Sequence, residues 1–466
     1  MSQAPKFLSL ILTIVLISGC TSSYLDIFPE LDDPSLMGKK IEPELLKQDI
    51  QAYYQGALDR HPNLAKYASK VELENNVRVL QAEITKPMTR LEFYKIVGRL
   101  THKFNDGHSM LIWPYQEYDK LKSAGSMTFP FAVKITPKGE IFIKHEYKSD
   151  KLKLAAGTKI ISINKLSSEE LLNYMQKYVG GESEYLRQQF VADRFGLTLW
   201  AVFSLIDNFE IELEFEGKAS SLSVNNVQNW NKIEQENTNK KDFYLKQIEQ
   251  GIGYLYIGHF DVELGWFENF IDESFAEIKQ TKLTSLIIDI RDNTGGNTDT
   301  ATYLARYIAK KDFRMISKMT EKLNLDNRGF LNYKGEVGEY IEHEWDDWEK
   351  SIGNENLFKG QTYLLVSPIT YSAGIVFATT VKDNDMAILI GQETGGYANQ
   401  TAQGNLFNLP NSQLRAYITT RMLVRPSGST APGGVKPHYQ TVATSETIAA
   451  QQDVELEKAL ELIYSK

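Results

Sequence analysis

The first clear pattern of hydrophobic positions is helical and runs from residue 41 to about residue 100. Apolar side chains recur there three and four residues apart, which is the spacing of one helix face. Thr89 and Glu92 have capping-box spacing and are expected to open the last of these helices. The sequence therefore predicts a helical N-terminal region over residues 41–115. Its clearest apolar positions are Leu45, Leu46, Ile50, Tyr53, Tyr54 and Leu58, then Phe93, Ile96, Val97 and Leu100.

Residues 125–217 have a different pattern, typical of short β-strands. Apolar and polar residues alternate in Phe209–Phe215, and a helix is expected from about Ser168 to Tyr178. The segment Gly157–Asn164, G-T-K-I-I-S-I-N, resembles the strand and turn of PDZ domains. Modules of that kind bind chain ends by strand addition. A PDZ-like β module is therefore expected over residues 125–217.

The rest of the chain reads as a polar linker over residues 218–250 and an α/β domain over residues 251–466. Strands and amphipathic helices alternate in this domain, which is typical of parallel βα units. Leu286–Ile290 is apolar except at Asp289, and is of the kind of strand that is buried in a parallel sheet. The acidic stretch Glu339–Glu349 is predicted to form a solvated helix. The predicted fold class is thus mixed α/β.

The N-terminus has the pattern of an export signal. Lys6 precedes the apolar run Phe7–Ile17, and small residues follow before Cys20. Ile17-Ser18-Gly19-Cys20 resembles a bacterial lipobox, which implies cleavage before Cys20 and lipidation of its thiol. The expected organisation is a signal peptide over residues 1–19, a tether over residues 20–40, and a lipid anchor in the bacterial cell envelope. The alternative is an ordinary signal peptide in which Cys20 falls by chance.

Composition narrows the class of protein. With 466 residues, 42% hydrophobic and 24% charged, the chain fits two or three globular domains. The net charge of −9 argues against nonspecific binding of nucleic acid, which needs basic patches. Cys20 is the only cysteine, so no intramolecular disulfide can form.

Three short segments are candidates for chemistry. Ser372 lies between an apolar strand and an apolar helix, where unpaired N–H groups suit an oxyanion. The alternative is an N-cap, for which serine is a favoured residue. Gly295 and Gly296 follow a buried strand, and such a turn either presents N–H groups to a ligand or is a plain βα turn. His108 follows Asp106-Gly107 in a tight turn from which an imidazole can be aimed.

Four stretches together resemble the S41 serine peptidases, which include C-terminal processing proteases and tricorn core proteases. They occur in the family's order and resemble, in turn, L-x-D-G-H-[TS], LIIDLRxNxGG, S-A-[SG]-E-x-F-A and IGExTGG. The matching segments are Leu100–Ser109, Leu286–Gly296, Tyr371–Ala378 and Ile390–Gly396. The resemblance implies a PDZ-like module and a crotonase-like ββα catalytic domain, with no metal or cofactor.

The family has two kinds of general base, and the sequence favours one of them. Processing proteases use a lysine 25 residues after the serine, but Tyr397 occupies that position here, although Asp383 matches an aspartate of that branch. The tricorn-like branch uses a histidine that maps to His108. Its orienting glutamate before GVxPD has no counterpart in residues 429–438. A hydroxyl, another carboxylate such as Glu393, or no group at all would then assist the histidine.

The resemblance implies a serine peptidase of the cell envelope that acts on peptide or protein substrates. Ser372 would be the nucleophile and His108 the general base, with the N–H groups of Ala373 and of Gly296 or Gly295 as oxyanion donors. One alternative is an inactive lipoprotein on the same fold that binds peptides or lipids. Another is an esterase or amidase. The oligomeric state is not indicated.

Overall fold

The computed structural model describes residues 28–149, 152–226, 230–233, 242–328 and 335–465. The expected signal peptide, Cys20 and the first residues of the expected tether lie outside these ranges. Within them the architecture is mixed α/β, as predicted. No described helix combines the length and the apolar character needed to cross a membrane.

The described end of the expected tether packs on the N-terminal region. The Phe28 ring lies edge-on to the Tyr115 ring, with 5.0 Å between their centroids. The Tyr115 hydroxyl donates a hydrogen bond of 2.7 Å to the carbonyl of Pro29. A 3₁₀ turn follows at Pro34–Met37. The fold therefore begins before residue 41.

The N-terminal region is helical, as predicted. Thr89 and Glu92 form the expected capping box, and the last helix continues as a 3₁₀ turn, Gly98–Phe104. Asn105 ends this turn in the left-handed conformation, with φ of 50°. The strand that follows the His108 turn, Met110–Leu111, is only two residues long. The elements are α1 (Pro43–Arg60), α2 (Leu64–Tyr67), α3 (Lys70–Glu83), α4 (Arg90–Val97), β1 (Met110–Leu111) and α5 (Tyr115–Ser123).

The following module is an antiparallel sheet with three helices inserted between its strands β7 and β8. The strand order is β2-β3-β6-β8-β9, and β7 pairs with β6. β9 ends at Asn225, so the sheet extends beyond the predicted boundary at residue 217. The elements are β2 (Val133–Ile135), β3 (Ile141–Ile143), β4 (Tyr147–Lys148), β5 (Lys153–Leu154), β6 (Lys159–Ile163), β7 (Leu166–Ser167), α6 (Ser168–Met175), α7 (Glu184–Asp193), α8 (Phe195–Phe203), β8 (Asn208–Phe215) and β9 (Lys218–Asn225).

The C-terminal half contains a six-stranded sheet in the order β11-β12-β13-β16-β17-β20, parallel except for β11. The expected linker 218–250 is wrong in part, because it holds β9, β10 and β11. The elements are β10 (Asn231–Lys232), β11 (Phe243–Glu249), β12 (Ile252–Ile257), α9 (Leu264–Gln280), β13 (Ser285–Asp289), α10 (Thr298–Arg306), β14 (Lys318–Lys322), β15 (Tyr340–Glu344), β16 (Gln361–Val366), α11 (Ala373–Asp383), β17 (Ile388–Gly391), β18 (Thr401–Asn408), β19 (Arg415–Val424), β20 (Tyr439–Gln440), α12 (Ser445–Ala449) and α13 (Val454–Tyr464).

Both faces of this sheet are covered. Helices α9, α10 and α11 pack on one face, and α13 packs on the other. Every residue of β13 is buried, which explains why its sequence is continuously apolar up to Asp289. The segments that carry Gly295 and Ser372 leave this sheet at the C-terminal ends of the adjacent parallel strands β13 and β16. They are therefore brought side by side.

A second sheet connects the two halves of the chain. β1 pairs with β19, and β19 also pairs with β14 and β18. The acidic stretch forms strand β15 on β14, so the predicted helix is wrong. Lys318 on β14 lies 2.7 Å from Glu342 and 3.6 Å from Glu344, and its charge favours the paired strand. Through β1, the turn with His108 is attached to the C-terminal half.

Candidate active site

Ser372 stands at the junction between β16 and α11 in a strained backbone conformation. Its φ of 53° and ψ of −121° are unusual for a residue with a side chain. Its hydroxyl makes no capping hydrogen bond, so the N-cap interpretation is wrong for the side chain although the residue begins the helix. The Ser372 carbonyl accepts a hydrogen bond of 2.8 Å from Gln400 Nε2. The backbone is thus fixed while the hydroxyl is left available.

The glycine turn after β13 lies directly against Ser372. Gly295 has φ of 113°, and a Cβ added to it would lie 2.5 Å from the Ser372 Cβ, so only glycine fits there. The buried Asn293 connects the two segments. Its carbonyl accepts the N–H of Tyr371 at 3.0 Å, and its Oδ1 accepts the N–H of Gly295 at 2.9 Å.

These bonds decide which N–H groups are free to hold an oxyanion. The Gly295 N–H is used by Asn293, so its role as a donor is corrected. The N–H groups of Ala373, at the first position of α11, and of Gly296 make no hydrogen bond within the described ranges. The first turn of a helix adds partial positive charge to such groups. Ala373 and Gly296 are therefore the two remaining candidates.

His108 is almost fully buried and is held through one ring nitrogen. Its Nδ1 lies 3.1 Å from Thr401 Oγ1 and 3.2 Å from the Tyr371 hydroxyl. The Tyr371 ring stacks on the imidazole at 4.7 Å between centroids. Its Nε2 is buried and has no hydrogen-bond partner among the described residues. One edge of the imidazole is therefore fixed and the other is open to react.

Asp106 anchors the turn that carries His108. Its Oδ1 accepts the His108 N–H at 3.1 Å and the Thr401 hydroxyl at 2.6 Å. Its Oδ2 accepts the Ser109 hydroxyl at 2.6 Å and lies 3.3 Å from His61 Nε2. Burial alone would raise the pKa of this carboxyl, but His61, followed by His108 and Ser109, brings the pKa well below its usual range. Asp106 is therefore a buried carboxylate.

The direction of these hydrogen bonds fixes the proton on His108. Because Thr401 donates to Asp106, its oxygen accepts from His108, and Nδ1 must carry the proton. The neutral imidazole then has its lone pair on Nε2. Burial lowers the pKa of His108, while the charge of Asp106 opposes that shift. The imidazole is consequently a neutral base at neutral pH.

A second hydroxyl and a second carboxyl lie on the same side of His108. The Tyr371 hydroxyl donates to Glu182 Oε1 at 2.9 Å, and Glu182 Oε2 is buried without a partner among the described residues. Burial, reinforced by the charge of Asp106, raises the pKa of Glu182 to about 8, against the effect of the Tyr371 hydrogen bond. Gly107 permits this approach, because a Cβ there would lie 2.4 Å from the Tyr371 hydroxyl oxygen.

Ser372 and His108 line one cavity of about 220 Å³. Thr294, next to the glycine turn, lies on the same wall. The structure thus brings together a strained serine, a neutral imidazole and two unused N–H groups, which is the set that acyl transfer requires.

Comparison with known proteins identifies the chemistry. Residues 251–441, which include Ser372 and the glycine turn, match the model of peptidase family S41. Residues 251–441 therefore form a serine-type peptidase domain of family S41. None of the curated proteins matches the chain.

Solved structures of CPAF share the fold of this chain. The structure of mature CPAF complexed with lactacystin has 12% sequence identity to this chain and a TM-score of 0.64. The match covers 90% of this chain and 98% of the CPAF chain. Mature CPAF has 12% identity and a TM-score of 0.62, with coverage of 89% and 96%. The photosystem II D1 C-terminal processing protease has 13% identity and a TM-score of 0.45, with coverage of 89% and 98%. At 12% identity, the likeness to CPAF concerns the fold alone.

The auxiliary residues expected from the sequence have other contacts in this S41 peptidase. Asp383 forms a two-point ion pair with Arg425, at 2.5 and 2.9 Å. Glu393 accepts the N–H of Gly434 at 2.8 Å. Tyr397, at the position of the lysine in processing proteases, packs on the Tyr67 ring. Of the alternatives for the group beside the histidine, a hydroxyl is therefore the one observed, since Thr401 and Tyr371 contact His108 and Glu393 does not. The possible auxiliary role of Asp383 is likewise corrected, because Arg425 holds its carboxylate.

Proposed function

We propose that the protein hydrolyses peptide bonds with Ser372 as the nucleophile and His108 as the general base. The surroundings of His108 carry the proposal. Its Nδ1–H is held by two hydroxyl groups, and its Nε2 has no partner among the described residues. It also shares a cavity wall with Ser372. A serine hydroxyl needs an adjacent base to attack at neutral pH, and this nitrogen is the available one.

The reaction follows the usual order of acyl transfer. Ser372 Oγ attacks the scissile carbonyl while its proton passes to His108 Nε2. The oxyanion accepts hydrogen bonds from the N–H groups of Ala373 and Gly296. His108 then gives the proton to the leaving amine, and the acyl group stays on Ser372. Water, activated by the same imidazole, releases the acid and restores the serine.

Thr401 and Asp106 take the place of the missing orienting glutamate. When His108 becomes an imidazolium, its Nδ1–H donates to Thr401 Oγ1. The Thr401 hydroxyl in turn donates its hydrogen bond to the Asp106 carboxylate. The negative charge therefore acts through one intervening hydroxyl. This arrangement supports an active enzyme over an inactive peptide- or lipid-binding protein, because the absent third residue was the reason for that alternative.

Labelling with a fluorophosphonate tests the proposal. The wild type and the His343→Ala control, whose histidine is exposed on β15, should label equally. Ser372→Ala should abolish labelling, and His108→Ala should slow it by at least a hundredfold. Labelling that survives Ser372→Ala, or is unchanged in His108→Ala, would contradict the assignment. An enzyme that labels at Ser372 but cleaves only ester substrates would instead be the esterase alternative.

We also propose that the protein is exported and anchored in the bacterial cell envelope by a lipid on Cys20. The proposal rests on the lipobox-like Ile17-Ser18-Gly19-Cys20. Mass spectrometry of the mature protein should find an N-terminus at Cys20 carrying a diacylglyceryl group. Cys20→Ala should move the protein out of the membrane fraction, whereas the Ser22→Ala control should not. Recovery of wild-type protein with an unmodified Cys20 would refute the anchor.

A further inference from the structure

The cavity beside Ser372 is built mostly from outside the segment that matches the family. Fourteen of its seventeen lining residues precede residue 251, and only Thr294, Tyr371 and Ser372 follow it. The contributing segments are the end of α4, the turn and strand around β1, residues 178–180, and helices α7 and α8. The shape of the cavity is therefore a property of the N-terminal half of this chain.

Its inner walls are apolar and closed. Leu111, Phe190 and Ala201 are buried side chains on these walls. Two wall hydroxyls are already committed, since Tyr178 donates to the carbonyl of Lys95 at 2.7 Å and Thr198 to that of Arg194 at 3.0 Å. A charged side chain placed here would lose its hydration with little in return.

The cavity opens to solvent next to the nucleophile. Met110, Trp113, Thr294 and Ser372 are only partly buried. Arg194 is the only lining residue besides His108 with an ionisable basic group, and its exposed guanidinium lies at 5.7 Å from the Trp113 ring. The opening is thus amphipathic, while the interior is not. A void in a packed core would have no such opening.

The volume is sufficient for an aromatic side chain. A dry apolar cavity of about 150 Å³ is enough to bind benzene, and this one measures about 220 Å³. The Phe190 ring meets the Tyr371 ring edge-on at 5.4 Å, so an aromatic wall continues as far as the ring that stacks on His108.

We infer that this cavity is a specificity pocket that receives a large apolar or aromatic side chain from a residue flanking the scissile bond. The inference rests on the proposed function, because only attack by Ser372 places that bond at the cavity opening. Ser372 itself forms part of the cavity wall. A substrate side chain more than two residues from the scissile bond therefore cannot reach this cavity. The substrate class is therefore peptides with Phe, Tyr, Leu or Met at the cleavage site.

A peptide library with the cleavage products identified by mass spectrometry tests the inference. Replacing the preferred aromatic residue by Ala should lower kcat/KM by at least about a hundredfold, since even one methylene lost from an apolar pocket costs roughly tenfold or more. Replacement by Asp should lower it further. Equal rates for Phe, Ala and Asp at both flanking positions would overturn the pocket, and so would failure to cleave any aromatic peptide, provided that Ser372 still labels with fluorophosphonate. Loss of labelling would instead overturn the proposed function.

Variants in α8 make the test specific to the cavity. Ala201→Phe should fill the pocket and reverse the preference toward small residues, while the exposed Ala124→Phe control should keep the aromatic preference. If Ala201→Phe fails to fold, Leu197→Ala provides the opposite change. It should enlarge the pocket and raise the rate for Trp peptides relative to Leu peptides at least fivefold. An unchanged profile in folded Ala201→Phe or Leu197→Ala protein would refute the pocket.

Discussion

At the scale of single residues, the imidazole of His108 is defined by the hydroxyls around it. Thr401 and Tyr371 both face Nδ1, and each hydroxyl donates its hydrogen bond to a carboxyl group. Two acceptors thus hold one N–H. The imidazole is oriented through hydroxyls rather than by direct contact with a carboxylate.

Thr401 should therefore be a positioning residue with a measurable effect on rate. Thr401→Val keeps the shape but removes the acceptor and leaves Asp106 short of a donor, so kcat/KM should fall by about ten- to a hundredfold. Thr401→Ser retains the hydroxyl and should stay within about threefold of the wild type. Equal losses in both variants, measured with one peptide substrate, would show that the methyl packing matters and the hydroxyl does not.

The pH dependence of the reaction should report the protonation of His108. Because burial lowers its pKa, the acid limb of kcat/KM should have its midpoint below the ordinary histidine value of about 6.5. The rate of fluorophosphonate labelling should follow the same limb. The exposed His343→Gln variant should leave the profile unchanged. A midpoint above about 6.5 would show that His108 is not the titrating base.

Glu182 should impose a pH dependence on stability. Its folded pKa of about 8 lies above the ordinary value of 4.5, so the folded state binds the proton more tightly. The free energy of unfolding should then fall as the pH rises from about 4.5 to about 8. Glu182→Gln should remove this fall, a difference of a few kcal/mol, since each pKa unit is worth about 1.4 kcal/mol.

Urea denaturation of wild type and Glu182→Gln at pH 5 and pH 9 measures that difference. The exposed Glu169→Gln variant is the control and should behave as the wild type. If the two pH-dependence curves of wild type and Glu182→Gln are parallel, Glu182 titrates normally in the folded protein.

At the scale of elements, the proposed nucleophile depends on the turn between β16 and α11. The Ser372 backbone has the φ and ψ of a position that glycine occupies without strain. Such strain costs about 1–3 kcal/mol and persists only where the surroundings impose it. The hydrogen bonds from the Tyr371 N–H to the Asn293 carbonyl and from Gln400 Nε2 to the Ser372 carbonyl impose it here.

Relief of this strain should be measurable in two inactive variants. Ser372→Gly should be more stable to unfolding than Ser372→Ala by about 1 kcal/mol, because glycine adopts the conformation freely. Elsewhere in a helix or strand, glycine is the less stable of the two. Thermal unfolding of both variants provides the comparison, and a more stable Ser372→Ala protein would mean that the turn is unstrained.

At the scale of the whole molecule, the N-terminal helices are bound to the C-terminal half by a buried carboxylate. Asp49 on α1 accepts two hydrogen bonds from Asn411, at 2.8 and 2.9 Å, and one from the Ser412 N–H at 2.7 Å. Asn411 and Ser412 lie in the turn between β18, which contains Thr401, and β19, which pairs with β1. The same core includes residues from the N-terminal helices, the β module and β19.

Asp49→Ala should therefore weaken the whole assembly. It leaves three donors without their charged acceptor, which should cost about 3 kcal/mol or more of unfolding free energy. Asp119→Ala, an exposed carboxylate on α5, should change stability by less than about 0.5 kcal/mol. Chemical denaturation gives both values. A loss in Asp49→Ala no larger than that in Asp119→Ala would show that the two halves do not depend on this contact.

The sequence allowed much of the fold to be predicted, because local patterns determine local structure. The capping box at Thr89, the alternation in β8 and the apolar run of β13 all lead to the expected elements. The helix predicted over Glu339–Glu349 was wrong because pairing with β14, not local spacing, determines the conformation of that acidic segment. The extent of the β module was underestimated for the same reason, since β9 is stabilised by pairing with β8.

The residues of the site could be predicted only where a local sequence motif surrounds them. Ser372 and His108 stand in recognisable turns, whereas Thr401 lies 293 residues from His108 and has no motif of its own. Glu182 likewise has no sequence motif that marks it, because its role depends on burial against Tyr371. The Asp106-Gly107-His108 segment did hold a usable signal, since a carboxylate two residues before a histidine can fix its turn.

The pairing of β1 with β19 has a consequence for the order in which the active site forms during synthesis and folding. Protein synthesis runs from the N-terminus, so His108 is made long before Arg415–Val424, the only described strand that pairs with β1. Contacts so distant in sequence form late and slowly. A nascent chain thus already contains His108 and Ser372 while the strand that pairs with β1 is still missing. We therefore expect the peptidase to stay inactive during synthesis until Arg415–Val424 has been made and has paired with β1.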